Sequence, residues 1–217
     1  MEKKNSLEII SQKIIDYFFK DYRADEKEVL IFGLMALLST TITSTLIILC
    51  SSLLGVARFS IIAAIVASIM RFFSGGIHAA TYKQCITIST TVFVLLGLLA
   101  SYGGGELQDS LFIILLFILT IGSIIIFFYA PAEVKQNPIN SIKRRYRLKK
   151  YSFIILFIVV FTSYLVLILK KGLYQFILAG LLGVSWQLFT ITPLAYTLIR
   201  LINNGRGNES EEQKVSS

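Results

Sequence analysis

Leu111-Phe-Ile-Ile-Leu-Leu-Phe-Ile-Leu-Thr-Ile-Gly-Ser-Ile-Ile-Ile-Phe-Phe-Tyr-Ala130 is a run of twenty residues without a charged side chain. At a rise of about 1.5 Å per residue, such a run crosses a hydrocarbon layer of about 30 Å as one helix. Working outward, comparable runs cover Val29 to Cys50, Phe59 to Phe73 and Ile86 to Ser101 on one side, and Tyr151 to Leu169 and Leu173 to Ile199 on the other. The whole chain is 55% hydrophobic and only 16% charged, with a mean hydropathy of +0.72. A water-soluble domain has a different balance. The expected fold is an all-α integral membrane protein with six transmembrane helices. The second and third runs are short for a bilayer, and short, glycine-interrupted spans border polar cavities or re-enter the membrane.

Lysine and arginine set the orientation. With six spans and the N-terminus inside, the inner connections hold eighteen of these residues and the outer ones three. The positive-inside rule therefore predicts that both termini are cytoplasmic. The formal net charge of +8 is read as this topology signal, so nucleic acid is not an expected partner. Ahead of the spans, Leu7, Ile10, Ile14, Phe18 and Tyr22 recur at three- and four-residue steps, with Lys13, Asp16 and Lys20 on other faces. That pattern predicts an amphipathic helix lying in the membrane interface. The expected organisation is a cytoplasmic N-terminal region 1–28, a six-span catalytic domain 29–202 with its active segment at 71–85, and a disordered polar tail 203–217.

Chemistry concentrates between the second and third spans, in Arg71-Phe-Phe-Ser-Gly-Gly-Ile-His-Ala-Ala-Thr-Tyr-Lys-Gln-Cys85. This segment holds the sole histidine and one of two cysteines. Cys50, the other, lies inside an apolar run and reads as a small buried hydrophobe, so no disulfide is expected. With one histidine and no ligand cluster, a zinc hydrolase site cannot be assembled, and neither metal nor organic cofactor is expected. A cysteine with a histidine is the minimum for thiolate catalysis, in which imidazole takes the thiol proton and later protonates the leaving amine. On one continuous helix His78 and Cys85 would lie about 10 Å apart along the axis, whereas direct proton transfer needs about 3 Å. A dyad thus requires a break, for which Gly75 and Gly76 supply the backbone freedom, and Cys85 is expected near the N-terminus of the third span. Spacing alone leaves open whether these are catalytic or ordinary packing residues.

Arg71, Gly75-Gly76-x-His78 and Cys85 recur in a known pattern, together with the loop Tyr129-Ala-Pro-Ala-Glu-x-Lys-x-x-Pro138, six spans and a length of 217 residues. In these features, over nearly the whole chain, the protein resembles the AgrB family, accessory gene regulator protein B. These are membrane cysteine endopeptidases of Gram-positive peptide quorum sensing. The resemblance implies that Cys85 is the nucleophile and His78 its base, acting at the cytoplasmic face of a bacterial cell membrane. The implied substrate is an AgrD-like propeptide, cut through a thioester and released as a thiolactone macrocycle. It also implies that Arg71, Gly75, Gly76, Glu133 and Lys135 bind substrate or support the segment. Arg71 reads equally as a snorkelling anchor, and Glu133 and Lys135 as solvated loop charges. The basic run from Lys143 to Lys150 could attract an acidic substrate segment or anionic lipid.

No third catalytic group is singled out, although Gln84, Glu133 and Gln187 could orient His78 or donate to an oxyanion. Pro193 is expected to kink the last span, and Gly103-Gly104-Gly105 to form a flexible external turn. Gly33, Ala36 and Ser39 would permit close helix approach, so a homodimer is compatible with the sequence. The rival function is a small transporter or export component without proteolytic activity, which the scarcity of charges within the spans disfavours. A structural or receptor-associated membrane protein is a third reading.

Overall fold

The computed structural model describes residues 6–20, 22–77, 81–132, 141–170 and 172–201. Its helices are α1 (Ser6–Phe18), α2 (Ala24–Leu53), α3 (Ala57–Ser74), α4 (Tyr82–Glu106), α5 (Leu111–Tyr129), α6 (Ile142–Leu169), α7 (Tyr174–Thr190) and α8 (Pro193–Leu201). A 3₁₀ turn, Gln108–Ser110, leads into α5. Helix is what the composition demands, because a chain in hydrocarbon must satisfy its backbone hydrogen bonds within each segment. The five helices α2 to α6 are long and apolar enough to cross a membrane, and α7 with α8 makes a sixth if the bent pair is one span. The bend between them is 75°, at a break just before Pro193.

The apolar pattern of α5 explains how a helix hydrophobic all round still has a defined orientation. Leu111, Leu115, Ile118, Gly122 and Ile126 are buried in the protein, whereas Phe117, Ile121, Ile124 and Phe128 on another face are exposed. Both sets recur at three- and four-residue steps, one stripe for neighbouring helices and one for lipid. The buried stripe joins Met70 of α3, Leu156 of α6, and Leu181, Val184 and Leu188 of α7 in the main apolar cluster. A second cluster links Ile47 of α2, Ala63 and Ala67 of α3 and Phe93 of α4.

The centre of the bundle is made of α3, α4 and α7, which pack on one another more extensively than the remaining helices do. Small residues allow this. A methyl group on Gly183 would collide with the backbone of Ala63, so α7 rests directly on α3. The same close approach overturns the turn expected at Gly103-Gly104-Gly105, all three of which lie in the last turns of α4. Gly104 is pressed against the backbone of Gln175, whose Nε2 donates to the Ser101 carbonyl at 2.7 Å. Gly104 is there for helix contact, and tertiary packing overrides the low helix propensity of the cluster, although nothing lies within 4 Å of a methyl on Gly105.

The N-terminal helix is present but sits differently from a helix held only by lipid. Ser11 and Ile15 are buried in contact with the bundle, where α1 packs on α2. Ile9, Ile10, Tyr17 and Phe18 face outward. The stripe read from the sequence thus lies outward, with Ile10, Phe18 and Tyr22 exposed, while the adjoining face of Ser11 and Ile15 packs on protein. Asp16 also reaches Lys27 at 3.8 Å across the junction of α1 with α2.

Candidate active site

The segment singled out in the sequence is where α3 stops. Gly75 caps the helix with φ +70° and ψ −152°, a backbone region open essentially to glycine alone. Gly76 follows with φ +145°. The chain then leaves the helix axis as extended backbone, and Gly75 pairs with Ala132 in an isolated parallel bridge. The Ala132 amide donates to the Ser74 carbonyl at 2.8 Å. A side chain on Gly75 would run into the Ala132 carbonyl oxygen. The loop after α5, one of the features behind the family resemblance, is thereby brought against the glycine pair.

The last span fastens the same turn from the other side. Gln187 of α7, 1% exposed, donates through Nε2 to the Gly75 carbonyl at 2.7 Å and to Ser74 Oγ at 2.9 Å. The Ile77 amide donates to the Thr190 carbonyl at 3.2 Å, and the Thr190 hydroxyl to the Gln187 carbonyl at 2.8 Å. From within α3, Arg71 Nη2 donates to the Ile77 carbonyl at 2.6 Å. Arg71 is thus a brace for the turn, a role that a snorkelling anchor would not fill. Gly76 is buried where an added methyl would meet the Thr190 hydroxyl, Arg71 and Gln187.

Replacing Gln187 with leucine removes the donor and leaves the buried Ser74 hydroxyl and the half-buried Gly75 carbonyl without it. An unsatisfied buried polar group costs about 1–3 kcal/mol. The Gln187→Leu protein is expected to unfold at a midpoint a few degrees lower, followed by thermal size-exclusion chromatography in detergent. An unchanged midpoint would show that this clamp contributes nothing.

Cys85 occupies the first turn of α4, as the sequence reading expects. Thr81 caps that helix reciprocally: its hydroxyl accepts from the Gln84 amide, and its amide donates to Gln84 Oε1, both at 3.3 Å. Gln84 is therefore spent on the cap, which fixes where the helix begins and so where Cys85 stands. The thiol is half-buried and free. Two sources of positive potential reach it, the start of α4 and Arg71, which lies within electrostatic range of both Cys85 and Tyr196. Tyr82 lies within electrostatic range of Glu8 of α1 and of Cys85, so the N-terminal helix borders the site.

Arg71, Gly75, Gly76 and Cys85 are brought to one end of the bundle, whereas His78, Glu133 and Lys135 lie outside the described residues. Among the described residues no group of three or more histidine, cysteine or carboxylate side chains could hold a metal. Sequence reasoning did not single out Ser74, Thr190 or Ala132. Its one handle on them was Gln187, an amide in an apolar span, which must find a hydrogen-bond partner when buried.

A family model described as Accessory gene regulator B matches residues 11–191. An AgrB-like protein of Clostridium perfringens (strain SM101 / Type A) is 29% identical over 93% of this chain and 96% of its own length. The accessory gene regulator protein B of Staphylococcus aureus (strain MRSA252) is 30% identical over 67% of this chain and 71% of its own. No solved structure matches the chain. With the family model spanning α1 to the end of α7, the chain belongs to the AgrB family, accessory gene regulator B.

Proposed function

We propose that the protein is a six-span membrane cysteine endopeptidase in which Cys85 and His78 process an AgrD-like propeptide at the cytoplasmic face of a bacterial cell membrane. Family membership places it in accessory gene regulator quorum sensing, and its apolar helices are those of a multi-pass membrane protein. The observation that carries the peptidase reading is the position of Cys85. It stands half-buried at a helix start, within electrostatic range of Arg71, which with Gln187 and Ala132 holds the backbone turn after α3 in place. Fixed geometry of this kind is what a nucleophile needs to meet a peptide carbonyl. The excess of Lys and Arg on the predicted inner connections supports cytoplasmic termini and a cytoplasmic site. Regions 1–28, 29–202 and 203–217 serve as N-terminal helix, catalytic domain and tail, and Gly33 and Ala36, exposed on α2, leave room for a homodimer contact.

In the reaction, the Cys85 sulfur attacks the scissile carbonyl while His78 takes the thiol proton. The carbon–nitrogen bond breaks as His78 returns that proton to the leaving amine, and the N-terminal portion remains as a thioester on Cys85. A cysteine thiol of the same peptide then displaces Cys85, which regains its thiol, and the ring closes as a thiolactone. The exchange is nearly balanced in bond energy and is favoured over water by the high effective concentration of a tethered thiol. Glu133 and Lys135 are proposed to help seat the substrate.

Mass spectrometry of the full-length protein co-expressed with a propeptide encoded beside it tests this reading. The expected result is a released C-terminal fragment together with an N-terminal acyl adduct on the peptide containing Cys85. Cleavage with the adduct on another residue, or equal cleavage by His78→Ala, would overturn the assignment.

A further inference from the structure

A cavity of about 500 Å³ opens where α5 ends, α6 begins and α8 turns away from α7. Its wall includes Tyr129 at the end of α5, Ala132 after it, Arg145 of α6, and Tyr196, Thr197 and Arg200 of α8. Pro193, Tyr196, Thr197 and Arg200 line it together because steps of three and four residues share one face of a helix. The 75° bend is what turns that face toward the end of α5.

Among the described residues that line the cavity, both charged ones are arginines, Arg145 and Arg200, and Arg71 reaches Tyr196 electrostatically from inside the bundle. Arg200 has no carboxylate partner among the described residues. Tyrosine hydroxyls add neutral donors beside guanidinium groups, a combination suited to a phosphate, which accepts several hydrogen bonds at once. The Thr197 hydroxyl is already donated to the Pro193 carbonyl at 3.1 Å.

The surroundings of the cavity decide between sources of phosphate. Phe128 belongs to its wall and is 70% exposed. From Phe128 the exposed stripe of Ile124, Ile121 and Phe117 runs along α5 into the span. A headgroup held by Arg200 and Tyr196 would have its acyl chains against that lipid-facing stripe, which is continuous with the cavity through Phe128, whereas a free anion or an acidic peptide would use the cavity alone. We propose that this cavity is a binding site for the phosphate headgroup of one anionic phospholipid, with Arg200 and Tyr196 as its principal donors. Ala132 is shared between the cavity wall and the bridge to Gly75, so the lipid would touch the backbone that braces the candidate active site.

Lipid capture needs no peptidase activity, so it is read on full-length Cys85→Ser protein in mild detergent. The protein is mixed with equal amounts of phosphatidylglycerol and phosphatidylcholine and weighed by native mass spectrometry. One phosphatidylglycerol is expected to be retained in preference, about tenfold less after Arg200→Gln and about threefold less after Tyr196→Phe, as fits the loss of a charged and a neutral hydrogen bond. Arg200→Lys should recover part of the loss, and Tyr196→Phe carries the test if Arg200→Gln does not insert. Equal retention of the two lipids, or retention indifferent to both substitutions, would overturn the site. Displacement by millimolar inorganic phosphate would assign it to free anions, and displacement by hexaglutamate to an acidic peptide, and either result would overturn the lipid assignment.

Discussion

Cys85→Ser is expected to abolish propeptide cleavage, lowering the rate by about 10³-fold or more, while the protein still inserts and purifies as the wild type does. A serine hydroxyl is almost isosteric with the thiol but far less acidic, and the positive potential of Arg71 and the α4 start cannot make up that difference. Since Cys85 is half-buried and makes no disulfide, its replacement leaves packing nearly untouched. Cys50→Ser, in α2, is expected to change nothing. The two variants are compared by propeptide conversion in matched membranes, normalised to the amount of folded protein. Cleavage by Cys85→Ser within tenfold of wild type would remove the cysteine peptidase reading and leave transport or a partner role in its place.

Gly75→Ala is expected to lose about 10²-fold in cleavage with its helix content retained. Two effects act together. The backbone at φ +70° and ψ −152° costs a residue with a side chain about 1–3 kcal/mol, and the new methyl would collide with the Ala132 carbonyl. Relief requires the turn to move away from Ala132, which stretches the bonds that the Ala132 amide donates to Ser74 and Gln187 donates to Gly75. A displacement of about 1 Å in a positioning element suffices for a loss of this size. Gly33→Ala is the matched control, since nothing lies within 4 Å of the added group. The pair is measured by cleavage rate and circular dichroism. Equal activity in both would show that the turn's conformation is not used in the reaction.

The six apolar runs were legible because a bilayer imposes a minimum length and excludes charge, both of which are local properties of a sequence. The helices overrun those runs where charged residues extend them beyond the apolar stretch: α6 begins at Ile142, before the basic residues that precede Tyr151. The break at Gly75 was legible from the glycine pair, and the place of Cys85 follows from it. Gly103 to Gly105 misled because a glycine cluster reads alike whether it makes a turn or admits another helix. Only the position of Gln175, seventy-four residues from Ser101, distinguishes the two. The bend before Pro193 was legible from the proline itself, whereas the clamp of Gln187 on Gly75 depends on a partner distant in the chain, which periodicity does not encode.

The hydrogen bond from Gln187 to Gly75 joins residues 112 positions apart, and that separation has a meaning in biosynthesis. The Arg71–Cys85 segment leaves the ribosome well before α7. Until α7 has entered the membrane, the Gly75 carbonyl and the Ile77 amide have no partner from Gln187 and Thr190, and the turn is held from one side only. A nascent or truncated chain would carry Cys85 without part of the scaffold that holds the neighbouring turn. The turn is thus completed late, with α7, and on the proposed peptidase reading a half-made molecule would lack the geometry to act on peptides.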